Sequence, residues 1–239
     1  MVTPVVSTAG ITLALDASTY DGSVAVLRDG TLVAERTVAM RGETEERLMP
    51  AVIDALRDAG ASVADVRRVV CGEGPGSFTS LRIAGAIAKG IAFGNDVPLY
   101  AVSSLALVVA GARDLAAGRY LAVLDAMRGE RYVLPLAVDV HGAITPLAPD
   151  GLALDGLQPP SGLRMPAGDV QPLVATLAAR AIGPLESPAA APHARGVLRL
   201  LDAVLAAGPV PLDGWEPIYG RLAEAQVKWE AAHGRPLAT

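Results

Sequence analysis

Cysteine is almost absent: the chain has one, Cys71, in 239 residues. An internal disulfide framework is therefore excluded. Cys71 closes an apolar run and reads as a buried structural thiol, in keeping with a reducing compartment. Aromatic residues make up 4% of the sequence, and the lysines and arginines are scattered without a run in a chain of net charge -5. That leaves no electrostatic footprint for a phosphate backbone, and Trp215, Tyr219 and Trp229 read as packing anchors or rim residues rather than base-stacking platforms. Strong binding of nucleic acid by the chain alone is not expected. Only three histidines occur, His141, His193 and His233. None is spaced as HxxxH, so the pattern offers no metal site, and no Ser/His/Asp grouping stands out. No apolar run is long enough to cross a bilayer. Leu99 to Ala112 is broken by Ser103 and Ser104 and falls short of the roughly 20 residues a span needs. The opening MVTPVVSTAG lacks a basic segment followed by an apolar one and reads as a loose tail, not a signal peptide. A cytoplasmic globular protein without membrane contact is expected.

What the chain does have is apolar content, 51% of its residues, enough for one large or two modest cores. Thr12 to Asp16 is a short apolar strand ending in a carboxylate. Ser23 to Arg28 and Thr31 to Val38 alternate as strands around Asp29-Gly30, a two-residue hairpin signal. Glu45 to Ala59 has helical periodicity, with Thr44 as candidate cap and Pro50 bending the helix or delaying its start. Arg68 to Cys71 is a strand, Pro98 to Val102 another, and a helix follows from Ser104 to about Ala117. The pattern then restarts. Tyr120 to Asp125 ends in Asp-Ala as the first strand ends in Asp16-Ala17, and Arg131 to Val138 and Ala143 to Leu147 flank a His141-Gly142 turn. The spacing predicts an internal repeat of a strand ending in Asp followed by a hairpin. Pro149 to Pro172 reads as long surface connections. Val170 to Ala181, Ala194 to Ala207 and Arg221 to Ala232 are helical in pattern.

The most informative stretch is Cys71 to Gly94, CGEGPGSFTSLRIAGAIAKGIAFG. Gly74, Pro75 and Gly76 build a tight turn into a helix that Ser77 or Thr79 can cap. Ile83, Ile87 and Ile91 form a bulky stripe suited to the core. Ala84, Ala88 and Ala92, with Gly85 beside them, form a bare one that lets another helix come close. Gly74 and Gly76 serve either a plain turn or an anion at the helix N-terminus. Arg82 opposes the helix dipole by a few tenths to about 1 kcal/mol, so it should have a partner: Glu73, Glu46, or a carboxylate or phosphate across an interface.

GPGSFTSLRIAGAIAKGIA resembles the GPGSFTGLRIG...AKGLA signature of the TsaB (YeaZ) family, with Ser80 where Gly is usual. EERLMPAVIDAL resembles that family's HSERLLP segment, with Thr44 in place of the His, and DAMRGERYV and PIYGRLAE resemble two further segments. The resemblance implies an α/β, duplicated ribonuclease H-like fold of the actin, Hsp70 and sugar-kinase (ASKHA) type with two subdomains. The first would span about 1–105, with a C-terminal helix of about 216–239 returning to it, and the second, degenerate one 106–215. It also implies a noncatalytic subunit that dimerises with TsaD in making N6-threonylcarbamoyladenosine at position 37 of tRNAs. TsaE would join that pair, and tRNA would be met only through the complex. Asp16, Ser18 and Thr19 would be remnants of a phosphate loop, with a purely structural, turn-bonding role for Asp16 as the other reading. No cofactor is expected in the chain itself, although the resemblance allows ATP or ADP at the partner interface. Leu48, Met49, Val52, Ile53, Leu56, Arg82, Ala84, Gly85 and Ala88 would form a helical face docking on the equivalent pair of TsaD. Alternatives are an active small-molecule kinase or ATPase of the same fold and a homodimeric ligand-binding protein.

Overall fold

The computed structural model of the chain describes residues 7–40, 46–147, 162–186, 190–220 and 233. Alternating apolar residues build an antiparallel meander of β1 (Ile11–Asp16), β2 (Asp21–Arg28) and β3 (Thr31–Ala39). Asp29 and Gly30 both adopt positive φ, 52° and 77°, at the β2–β3 turn. That left-handed pair gives the hairpin a twist matching its strands. Helix α1 (Leu48–Asp58) leads to β4 (Val66–Gly72), parallel to β1, and α2 (Phe78–Asn95) leads to β5 (Leu99–Val102), parallel to β4. The resulting sheet order is β3-β2-β1-β4-β5, the ribonuclease H-like arrangement.

The second half repeats the scheme. After α3 (Ser104–Ala110), β6 (Gly118–Met127) and β7 (Glu130–Val138) pair antiparallel, with the short β8 (Ile144–Pro146) and β9 (Leu163–Pro166) both on β7. Helix α4 (Val170–Leu177) then crosses to β10 (Arg180–Ile182), parallel to β6, and α5 (Val197–Ala207) follows. Thus β6, β7 and β10 stand where β1, β2 and β4 stand in the first sheet. Asp16 faces Ser23 and Asp125 faces Arg131 at equivalent strand ends. The fold is α/β and duplicated, of the ASKHA type.

Helices α1 and α2 cover one face of the first sheet, and α4 covers the outer face of the second. Helix α3 lies between the sheets. Its Leu107 and Ala110 pack with α5 on the first, and its Leu105, Val108 and Val109 pack on the second. A division between residues 105 and 106 therefore runs through a helix that both cores share.

Several boundaries differ from the sequence pattern for local reasons. Helix α1 starts at Leu48, the late start that Pro50 implied, and Glu46 caps it: the carboxylate accepts from the N–H groups of Leu48 and Met49. Thr44, the expected cap, lies outside the described residues. Helix α3 ends at Ala110, not near Ala117, because arginines take its terminal carbonyls. Arg195 donates to Gly111 O at 2.6 Å, and Arg199 to Ala110 O and Ala112 O. Helix α4 stops before Ala178, which is left-handed at φ 48°, so residues assigned to the helix form β10 instead. Beyond α5 the chain returns to the first half. Val210 N donates to Leu99 O, Trp215 joins the first core, and Ile218 N donates to Glu73 O at 2.6 Å. The expected helices at Arg221 to Ala232 and about 216–239 lie outside the described residues beyond Gly220, residue 233 apart.

Candidate functional site

Two places bear on function, the carboxyl end of β1 and the outer face of α2. At the first, Asp16 is fully buried. One carboxylate oxygen accepts from the Ser18 N–H at 3.0 Å and the Ser18 hydroxyl at 2.8 Å; the other accepts from the Ser104 hydroxyl, which itself accepts from Gly74 N–H. Burial raises the Asp16 pKa, against these hydrogen bonds. Gly72 closes the remaining side: a Cβ there would sit 1.9 Å from the carboxylate. Gly76 lets the GPG turn seat on the same loop, since a Cβ at that position would lie 2.1 Å from Ser18 O. Ser77 N–H then donates to that carbonyl at 2.7 Å.

Of the two readings of Asp16, this packing fits the turn-bonding one. The polar atoms of Asp16 and Ser18 are spent on the turn, and both are buried. Thr19 is nearer the surface, with its hydroxyl on Asp21 O at 3.1 Å. Among the described residues no group of His, Cys, Asp and Glu could hold a metal ion. Cys71 is buried and its thiol pKa is pushed well up by that burial, which fits an inert structural role.

The partner face needs correcting. Leu48, Val52, Leu56, Ala84 and Ala88 are 0–1% exposed, all within the core between α1, α2 and the first sheet. Gly85 is buried under Trp215 and Pro217. Only Met49, Ile53 and Arg82 of the expected set reach the surface. The bare stripe of Ala84, Ala88 and Ala92 faces inward because small residues let α2 lie close over the strands. A charged side chain at Ala88 would land in the core and unfold it, so that position cannot test pairing.

A different small-residue stripe faces out. Ala86, Gly90 and Gly94 follow one another every fourth residue on the exposed side, with Thr79 in line with them and the half-exposed Ile83 and Ile87 beside them. Phe93, on the same side, is 81% exposed. Neither Gly90 nor Gly94 has any atom within 4 Å of where a Cβ would stand, and neither has positive φ. Each costs the isolated helix about 1 kcal/mol relative to alanine. Nothing in the described fold requires them. Lys89, Gly90 and Phe93 also line an apolar groove of about 600 Å³ against Leu212 and Asp213.

At the start of this face Arg82 finds neither Glu73 nor Glu46. Its guanidinium lies 4.3 Å from the Phe78 ring centroid and 5.6 Å from that of Tyr219, and its Nε donates to the Tyr219 hydroxyl at 3.3 Å. That hydroxyl donates to Glu216 at 2.9 Å.

One polar cluster has no counterpart in any local sequence pattern. Glu35 on β3 accepts from Arg113 and Arg195 and lies 3.9 Å from His193 Nε2. Burial pushes Glu35 up, but the two arginines outweigh it and hold its carboxyl below the usual range. Burial, aided by Arg195, lowers the His193 pKa to about 4. Thr37 Oγ1 is 3.3 Å from Nε2, so threonine, histidine and glutamate come together here. The geometry does not suit a nucleophile. His193 Nδ1 accepts from Arg195 N–H at 3.1 Å, which leaves the neutral ring's proton on Nε2, facing Thr37. A general base would need its lone pair there.

Comparison with known proteins fits the fold. The family model TsaD, tRNA N6-adenosine threonylcarbamoyltransferase, matches residues 39–143. The tRNA threonylcarbamoyladenosine biosynthesis protein TsaB of Escherichia coli is 40% identical over 131 residues, 54% of this chain and 56% of that one. The protein of the same name in Bacillus subtilis is 38% identical over 120 residues, 50% and 52% of the two chains. The chain thus spans about half the length of the curated relatives it matches. Solved structures extend the likeness. An uncharacterized protein with similarity to peptidase YEAZ from Pseudomonas aeruginosa is 29% identical with a TM-score of 0.65, covering 89% of this chain and 100% of its own. YeaZ from Pseudomonas aeruginosa gives 29% and 0.64, covering 88% and 99%. With the GPGSFTSLRIAG turn and helix at its centre, the chain is similar to the TsaB and YeaZ proteins in both sequence and fold.

Proposed function

We propose that this chain is a noncatalytic, TsaB-like subunit that dimerises with TsaD in the complex forming N6-threonylcarbamoyladenosine at position 37 of tRNAs. TsaE joins that pair, tRNA is met only through the complex, and the assembly works in the cytoplasm. The observation that carries the reading is the outer face of α2. Gly90 and Gly94 weaken the helix by about 1 kcal/mol each, have open space around them, and stand beside the 81% exposed Phe93. A second helix crossing there could approach backbone to backbone, as small residues permit in a helix bundle. The strand-end geometry supports the noncatalytic part, because Asp16 is enclosed by Ser18, Ser104 and Gly72 and the Thr37–His193–Glu35 group has its proton on the wrong nitrogen. Any ATP or ADP then belongs at the interface with TsaD rather than in the cleft of this chain. No helix among the described residues is long and apolar enough to cross a membrane.

The test is threonylcarbamoyl transfer to tRNA by TsaD and TsaE from the same organism, with and without this chain. Modification that requires the chain, and is lost with Gly90→Arg, is the expected result. Equal rates without it would overturn the proposal.

A further inference from the structure

From the surroundings of Arg82 we infer that its guanidinium is the polar anchor of the α2 face and receives a carboxylate carried by the partner's helix. The inference rests on the subunit reading above and specifies the chemistry of that interface. Arg82 lies on the exposed side of α2, one turn before Ala86 and two before Gly90, so it stands at one end of the small-residue stripe. It lies just past the first turn of α2, and no carboxylate among the described residues pairs with it. What holds it is aromatic. The Phe78 and Tyr219 rings, 4.5 Å apart, flank the guanidinium, and the Tyr219 hydroxyl takes its Nε hydrogen. Glu216, which fixes that hydroxyl, faces Lys89 at 3.8 Å rather than Arg82. The two terminal nitrogens thus form a planar fork with its stem immobilised and its tines unengaged, the geometry that matches a carboxylate in two parallel hydrogen bonds.

Charge favours a carboxylate from the partner. The chain as a whole carries -5, yet Phe78 to Asn95 contains no Asp or Glu, only Arg82 and Lys89. Lys89 pairs with Glu216 directly, whereas Arg82 reaches that carboxylate only through the Tyr219 hydroxyl, so no carboxylate engages the fork itself. An acidic side chain on the docking helix would neutralise it, whereas an apolar or basic one would leave a cation at the edge of a desolvated contact.

The experiment measures the dissociation constant of the complex with TsaD, by calorimetry without nucleotide, at low and high salt. Wild type is compared with Arg82→Ala, Arg82→Lys, Arg82→Glu and Gly90→Arg. All of these alter exposed positions, and each variant's thermal midpoint is checked alone. Arg82→Ala should weaken binding about tenfold or more, and Arg82→Glu more strongly still. Arg82→Lys should recover part of the loss, and the salt dependence should flatten in Arg82→Ala. Unchanged affinity and salt dependence in Arg82→Ala, with Gly90→Arg still blocking binding, would overturn the carboxylate contact and leave the subunit reading intact. An Arg82 effect that appears only when ATP or ADP is added would assign the fork to a phosphate and likewise overturn it. Wild type that does not bind TsaD at all would remove both.

Discussion

Replacing Gly90 by alanine should make the isolated chain more stable and the complex weaker, an opposition few surface substitutions produce. The stabilisation follows from the helix alone. Gly90 lies inside α2, and no atom lies within 4 Å of the position a Cβ would take, so the methyl meets nothing and the gain is the propensity difference of about 1 kcal/mol. In a chain of this size that is a rise of roughly 2–4 °C in melting temperature. A partner helix packed against the same spot has no such space. A methyl forced into a close-packed contact costs about 1–3 kcal/mol, a loss of about five- to 150-fold in affinity. Thermal melts of the free chain and titration with TsaD measure the two halves separately. A lower melting temperature would mean that a contact occupies the space beside Gly90. A higher one with unchanged affinity would mean that no backbone approaches there, and the interface argument would fail.

Two further predictions concern pH. His193, with its pKa lowered from 6.5 to about 4, is protonated in the unfolded chain before the folded one. Its contribution is fully present above pH 6.5 and lost as pH falls from there toward 4. Urea unfolding at pH 7 and pH 5 should therefore differ by about 2 kcal/mol more in wild type than in His193→Gln; equal differences would show that the ring titrates normally. Asp16 has the opposite sign. Its pKa is raised by burial, so the folded state keeps the proton to higher pH and stability is lost as pH rises from about 4 through the folded value. Asp16→Asn should match wild type near pH 4 and exceed it at pH 8, and a deficit at pH 8 would mean that the carboxylate is needed charged.

How much of this the sequence could disclose depended on the range of the interactions. The β2–β3 hairpin was legible because Asp29-Gly30 sets its turn locally, and the duplication because strands ending at Asp16 and Asp125 recur with their hairpins. The orientation of α2 was not. The helix carries small or apolar residues nearly all round, so periodicity marks several stripes without saying which faces the sheet. The core took Leu81, Ala84 and Ala88 and left Gly90 and Phe93 outside. A sequence signal did exist in the two interior glycines that no turn demands. The strands β9 and β10, of four and three residues, are too short to show alternation and owe their existence to β7 and β6. The Thr37–His193 contact joins residues 156 apart in the chain, beyond any local pattern.

The most direct measurement is the mass, by light scattering on a sizing column, of this chain mixed with TsaD from the same organism, beside the same mixture made with Gly90→Arg. A one-to-one complex formed by the natural chain and lost with the variant is the predicted result. Separate elution of the natural chain and TsaD, or a complex indifferent to Gly90→Arg, would contradict the account of α2 as the docking face.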